Sequence, residues 1–345
     1  MQHTPIEYPF ADVPAAGEPV RIAHGISWVR MPLPFDALNH INLWLLDDGE
    51  DLALVDTGFG DDATRACWTH ILAAKGRRVS RIVVTHFHPD HLGQAAWLAA
   101  RDEAEIHMTA SEYCTALAMW HQVPGYSVTD MVDFFRRHGL AEERLAALEA
   151  RGNTYRRGVP ELPRTHHRLF HEGRLTVGGR NWRVIVGHGH SPEHASLYCE
   201  ETGVLIAGDQ VLPRITPNIS VQAAAPHEDS LAHFLSSLQR FTHLPENTLV
   251  LPSHGRPFRG IHARIAQLTT HHAERCTTIL TALDAPKSAW ELLPTLFSRP
   301  LDNHQVMFAM GEAIAHLNHL VQRDEVRPLE DDCGILRFAR HSHPA

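Results

Sequence analysis

Residues 81–94 read RIVVTHFHPDHLGQ, so His86, His88, Asp90 and His91 fall within six positions, directly after a β-branched run. Neutral imidazoles and carboxylates are the side chains that bind hydrolytic metal ions. In an extended loop, residues two apart point the same way, so His86 and His88 can share one ion. Asp90 and His91 follow where the backbone turns toward a helix, and they can share a second. An N-cap for that helix needs one polar side chain, such as Asp90, not four metal-capable ones.

One loop cannot complete two coordination shells. Three further ligand types stand at strand ends downstream: His190 in VGHGHSPEH, Asp209 in LIAGDQ and His254 in LVLPSHG. Each follows an apolar run and sits beside a Gly or Pro that permits a tight turn. His188 and His194 flank His190 as rivals. Three histidines would then hold one ion, Asp90 with two histidines would hold the other, and Asp209 would lie between them. Such a set leaves room for a bridging water, as an open catalytic site requires. The chain has 28 histidines, so histidine alone signifies little. Pairs such as His166–His167, His271–His272 and the tail residues His341 and His343 are expected on the surface.

These residues resemble the metallo-β-lactamase superfamily. The run His86-x-His88-x-Asp90-His91, then His190, Asp209 and His254, occurs in the family order. VDTG at 55–58 resembles the family's early Asp motif, and GHSPEH at 189–194 resembles its Gly-His-Ser/Thr-Pro-Gly-His turn. The likeness covers about residues 20–260 and favours His190 over His188. It implies an α/β fold, a four-layer αββα sandwich with two mixed sheets back to back and the metals at one edge. It also implies the metal ligands His86, His88, Asp90, His91, His190, Asp209 and His254, with Asp90 and Asp209 catalytic and two divalent ions as cofactors. Zinc suits the imidazole-rich set, and iron or manganese also fit it. Asp56 is expected to orient a ligand histidine or a loop amide, or simply to make a turn.

The elements that must carry these residues are legible. Residues 20–56 read as strands, a helix follows at about 62–75, and RIVVTH and AEIHMT are short strands separated by helical segments, one starting at HLGQAAWLAAR. This alternation is an α/β signature. Residues 122–165 hold two helical segments and loops rich in Gly, Pro and Arg, expected as an insertion that caps the pocket. Strands resume at RLTVGG, WRVIVGHG, ASLYCEE and GVLIAGD, a helix spans about 228–242, and TLVLPSHG is a last strand. The expected catalytic domain is 1–260. From 261 to 345 the order helix, helix, helix, hairpin suggests a winged-helix-like module, similar to the appendage of the beta-lactamase-like protein 2 branch.

Composition narrows the function classes. No apolar run approaches the ~18 residues of a membrane span, and residues 1–19 lack a basic start followed by an apolar segment, so they do not read as a signal peptide. Five scattered cysteines with no C-x-x-C pair suit a reduced, cytoplasmic protein. A formal charge of −9 argues against a broad nucleic-acid or anionic-membrane surface. Residues 285–345 carry six Lys/Arg against eight Asp/Glu, without the basic stripe of a DNA reader.

The expected function is metal-dependent hydrolysis of a small-molecule ester, thioester or lactone by a metal-bridging hydroxide. The alternatives are phosphodiester or single-strand RNA cleavage, and a non-catalytic metal-binding ligand sensor. The partners expected are a small-molecule substrate and a second copy bound through the C-terminal module, with neither nucleic acid nor membrane. Tyr126, His121, His194, Arg214 and His227 are candidate substrate contacts, and TYRRG at 154–158 is a candidate anion contact or a solvated helix end.

Overall fold

The computed structural model describes residues 4–35 and 38–341; His343 lies outside them. The chain divides into two units: residues 1–120, 154–217 and 237–265, and residues 121–153, 218–236 and 266–345.

In the first unit one sheet holds β1 (Val20–Ala23), β2 (Ile26–Pro32), β3 (His40–Asp48), β4 (Asp51–Val55), β5 (Val79–Val83), β6 (Glu105–Met108) and β7 (His167–Arg168), ordered in space as in sequence. Pairing is antiparallel as far as β4 and parallel beyond it. The second sheet has the order β12-β11-β10-β9-β8, from β8 (Arg174–Val177), β9 (Arg180–Gly187), β10 (His194–Cys199), β11 (Val204–Gly208) and β12 (Leu249–Pro252).

Side chains alternate across a strand, and β3 shows the result. Ile41, Leu43 and Leu45 join one core with Trp68, Leu72, Leu98 and Ala116. Trp44 and Leu46 join another with Val184, Leu197, Ile206 and Leu251 of the second sheet. The first sheet therefore packs on the second through one face. Its other face is covered by α1 (Asp62–Lys75), α2 (Pro89–Leu92), α3 (Ala95–Asp102), α4 (Ala110–His121) and, later in the chain, the short helix α7 (Thr154–Gly158). This is the αββα sandwich that the motif order implies. Arg240 donates to the carbonyl of Val186 in β9.

The single helix expected from HLGQAAWLAAR is two. A Cβ on Gly93 would lie 2.4 Å from both Gly158 O and Gly60 N, so the backbone breaks between α2 and α3 where other segments press on it. TYRRG is the helix α7, with Tyr155 buried.

The second unit holds α5 (Val128–Arg137) and α6 (Glu142–Arg151), most of α8 (Ser230–Gln239) and of α9 (Ile261–Ala282), α10 (Ala289–Leu296), α11 (Asn303–Gln322) and the hairpin β13 (Val326–Glu330) with β14 (Leu336–Arg340). The last three helices and the hairpin follow in the expected order. Capping boxes at Ser127/Asp130, Ser288/Glu291 and Asp302/Gln305 start α5, α10 and α11. On α11, Val306, Met310, Ala313, Ile314, Leu317 and Leu320 are buried at helical spacing. His272, expected on the surface, is instead buried, 3.1 Å from His316; the apolar side of a helix accepts an imidazole that finds a partner. No helix among the described residues is long and apolar enough to cross a membrane, and all five cysteines are free.

Candidate metal centre

The site sits on loops that leave the strands of the first unit. Asp56 follows β4 in the left-handed region (φ 61°), which Asp tolerates better than most residues. Its Oδ1 accepts from Thr85 N, and its Oδ2 accepts from the Thr85 hydroxyl and from His91 Nδ1, each at 2.8 Å. With its hydroxyl hydrogen given to Asp56, Thr85 accepts from His86 Nδ1 at 3.0 Å. Both histidines thus turn Nε2 away from their holders. The His91 carbonyl accepts from both the amide and the hydroxyl of Thr57, at 2.9 and 2.7 Å.

The ligand atoms converge in overlapping sets. His86, His88 and His190 bring nitrogens within 4.8 Å of one another, as do the ligand atoms of Asp90, His91 and His254, and those of His86, His91 and Asp209. His86 Nε2 lies 2.8 Å from His88 Nδ1 and 3.2 Å from His190 Nε2. Asp209 Oδ2 is 3.5 Å from His190 Nε2 and 3.4 Å from His254 Nε2, while Asp209 Oδ1 is 3.6 Å from His91 Nε2. Asp90 Oδ2 stands 3.4 Å from His254 Nε2. All the residues expected as ligands therefore meet at one place. His188 does not join them: its Nδ1 lies 2.6 Å from the Pro192 carbonyl.

The charges fall into two halves. Burial, helped by the surrounding imidazoles, pushes His86 well below the ordinary histidine value and His88 down to about 3. For His91, burial is outweighed by Asp56, Asp90 and Asp209, which hold it at about 9. His254 is likewise buried but is raised by Asp209 and Asp90. Asp90 drops to about 2 and Asp209 well below its usual range, because His91 and His254 overcome the cost of burial.

The residues fit a pair of cations. His91 Nε2 and Asp209 Oδ1 are buried without a hydrogen-bond partner, and buried polar atoms are rarely left so. Three imidazole nitrogens that face each other cannot all be satisfied by protons, whereas one cation satisfies them together.

Of the positioning residues, His40, Asn42 and Glu112 carry no sequence signal, whereas His194 stands in the GHSPEH turn. His40 accepts from His254 Nδ1 through its carbonyl (2.9 Å) and from Gly255 N through Nε2 (3.1 Å). Asn42 donates to the carbonyls of Pro252 and Gly255, tying β3 to the His254 loop. His194 is fully buried rather than lining a pocket, and its Nε2 accepts from Asp209 N at 3.0 Å. Glu112 on α4 is buried as well; burial pushes its carboxyl up to about 7 against the pull of Ser191, Glu193 and Phe87. Of the candidate substrate contacts, Arg214 is exposed with its guanidinium over Tyr8, and His121, Tyr126 and His227 are carried by the second unit.

Residues 37–254 match the profile of the Metallo-beta-lactamase superfamily, and residues 276–341 match that of the Metallo-beta-lactamase-like, C-terminal domain. The crystal structure of a beta-lactamase domain protein from Burkholderia ambifaria is 42% identical, covers 97% of this chain and 98% of its own, and superposes with a TM-score of 0.90. The "Probable metallo-hydrolase YqjP" of Bacillus subtilis is 24% identical over 86% of this chain and 92% of its own. The atrochrysone carboxyl ACP thioesterase of Passalora fulva is 21% identical over 78% of this chain and 66% of its own. A loop of His86, His88, Asp90 and His91 that meets His190, Asp209 and His254 beneath an αββα sandwich, within a profile match of this extent, makes the chain a metallo-hydrolase of the metallo-beta-lactamase superfamily.

Proposed function

We propose that this metallo-hydrolase cleaves a small-molecule ester, thioester or lactone at a dinuclear centre. The observation that carries the reading is the pair of ligand sets, His86–His88–His190 and Asp90–His91–His254, with Asp209 reaching both. Two divalent ions held there would supply a water acidic enough to ionise near neutral pH, and positive charge beside the carbonyl oxygen that becomes anionic. His86 Nε2, His88 Nδ1 and His190 Nε2 would hold one ion. Asp90, His91 Nε2 and His254 Nε2 would hold the other, and Asp209 would join the two. Asp90 stays ionised at neutral pH and is placed to accept a proton.

Acyl substrates are favoured over nucleic acid for two reasons. The thioesterase named above is an acyl-group hydrolase by name, and the chain's net charge of −9 disfavours a polyanionic substrate. Zinc is the metal proposed on ligand type, with iron and manganese as the alternatives. The test is a panel of a thioester, a lactone, a phosphodiester and a short RNA, given to protein of measured metal content. Turnover of an acyl substrate that disappears with chelation supports the reading. Clear RNA cleavage with background rates on every acyl substrate overturns it.

A further inference from the structure

Glu112 is fully buried on α4, and among the described residues its hydrogen-bond partners are all uncharged donors. Burying a carboxylate is costly unless donors surround it. Here three do. Glu112 Oε2 accepts from Phe87 N at 2.9 Å. Glu112 Oε1 accepts from the Ser191 hydroxyl at 2.6 Å and from Glu193 N at 2.7 Å. Phe87 lies between His86 and His88, and Ser191 follows His190. One side chain therefore bridges the two loops that bring the all-histidine set together.

The neighbouring contacts act in the same sense. The Tyr155 hydroxyl donates to Phe87 O at 2.7 Å. Thr109, just before α4, donates to Glu193 O at 2.8 Å, and Ser111 N at the start of α4 donates to the Glu193 carboxylate at 3.1 Å. Glu193 stands where the family turn has Gly, so this anchoring carboxylate belongs to this chain's own version of the motif. The amide of a glutamine could not replace the Glu112 carboxylate. All three groups facing it are donors, so both of its terminal atoms must accept, and a carboxamide NH₂ would oppose either Phe87 N–H or the Ser191–Glu193 pair.

We propose that Glu112 is a positioning residue for metal binding: it sets His88 and His190 at the separation one ion requires, and it governs affinity at the His86–His88–His190 set without governing the Asp90–His91–His254 set. The proposal rests on the metal-dependent reading of the site, and its readout is ion affinity rather than turnover. Metal-free full-length protein is titrated with cobalt(II), followed by its visible absorption, and with zinc(II) against a chromophoric chelator. His88→Ala identifies the remaining titration as that of the other set.

Glu112→Gln should weaken the all-histidine set by about 10–100-fold, the usual cost of losing a residue that supports a metal ligand. In the His88→Ala background the same substitution should leave the residual affinity within about threefold, as expected for separate sites. Ser191→Ala, which leaves the carboxylate in place, should give a smaller loss at the same set, and it carries the test if Glu112→Gln fails to fold. Equal weakening of both sets, or unchanged affinity in both variants, overturns the proposal. Wild-type protein that binds two ions yet hydrolyses no acyl substrate overturns the proposed function and leaves this inference standing.

Discussion

The Asp56 carboxylate accepts from His91 Nδ1 at 2.8 Å, which leaves His91 Nε2 buried, unbonded and facing Asp209. For the neutral ring that an ion requires, the carboxylate chooses the tautomer. An asparagine in its place would adopt the same φ of 61° without new strain, because that residue type also tolerates the left-handed region. Its amide would set a donor against His91 Nδ1 whenever its oxygen served Thr85, and it would push the imidazole proton onto Nε2. Asp56→Asn should therefore keep the fold but weaken ion binding at the Asp90–His91–His254 set by about 10–100-fold. Equilibrium zinc titration with a parallel urea melt checks this. Wild-type affinity in a well-folded variant would show that the tautomer is set elsewhere.

Gly208 ends β11 at φ 54°, and a Cβ there would lie 2.3 Å from His194 Nε2. That nitrogen accepts from Asp209 N, so the glycine lets an imidazole reach the backbone that carries a ligand. Gly208→Ala combines left-handed strain with a clash against a buried ring. The expected loss of stability is about 2–4 kcal/mol, read from the shift of the urea midpoint. Metal content should also fall, because Asp209 moves with its amide. A midpoint within error of wild type would mean that the loop relaxes freely.

Much of this candidate site was legible in the chain because its expected ligands follow strands. Each of His86, Asp209 and His254 trails an apolar run that folds as β5, β11 or β12, and chemistry at strand ends leaves a mark in one dimension. What supports them leaves none. His40 acts through its carbonyl, which every residue possesses. Glu112 reads as an ordinary helix residue until folding brings it to Phe87 and Ser191. The break at Gly93 depends on Gly60 and Gly158, which are remote in sequence. His272 looked like one of a surface pair, yet it turns inward toward His316.

The His272–His316 pair predicts acid sensitivity in the second unit. Burial lowers His272 to about 3 and His316 to about 4, from an ordinary value near 6.5. Between these limits the unfolded chain binds protons that the folded one refuses, so stability must fall as pH drops below 6.5. The slope is at most about 1.4 kcal/mol per pH unit for each imidazole. Denaturant melts of the full chain between pH 7 and 4.5 measure it. His272→Asn should flatten the dependence in that window, and an unchanged slope would place the acid sensitivity on other groups.

The two ligand sets should differ in their response to pH, one nearly insensitive near neutrality and the other steep. His88 is neutral above about 3 and burial holds His86 well below the ordinary histidine value, so neither has a proton to displace at pH 7. His91 holds its proton to about 9, since Asp56, Asp90 and Asp209 outweigh its burial, and Asp209 and Asp90 likewise raise His254. A metal ligand must be deprotonated. An ion entering the Asp90–His91–His254 set at neutral pH must therefore expel about two protons, and its affinity should rise steeply with pH until His91 titrates near 9. Calorimetric titration in two buffers of different ionisation heat counts those protons directly. His88→Ala isolates the carboxylate-containing set, and Asp90→Ala isolates the all-histidine one. Strong proton release in the first variant and little in the second is the expected outcome. The same release from both would mean that the carboxylates do not hold His91 and His254 charged, and the division of the centre into a neutral half and an ion-paired half would fall with it.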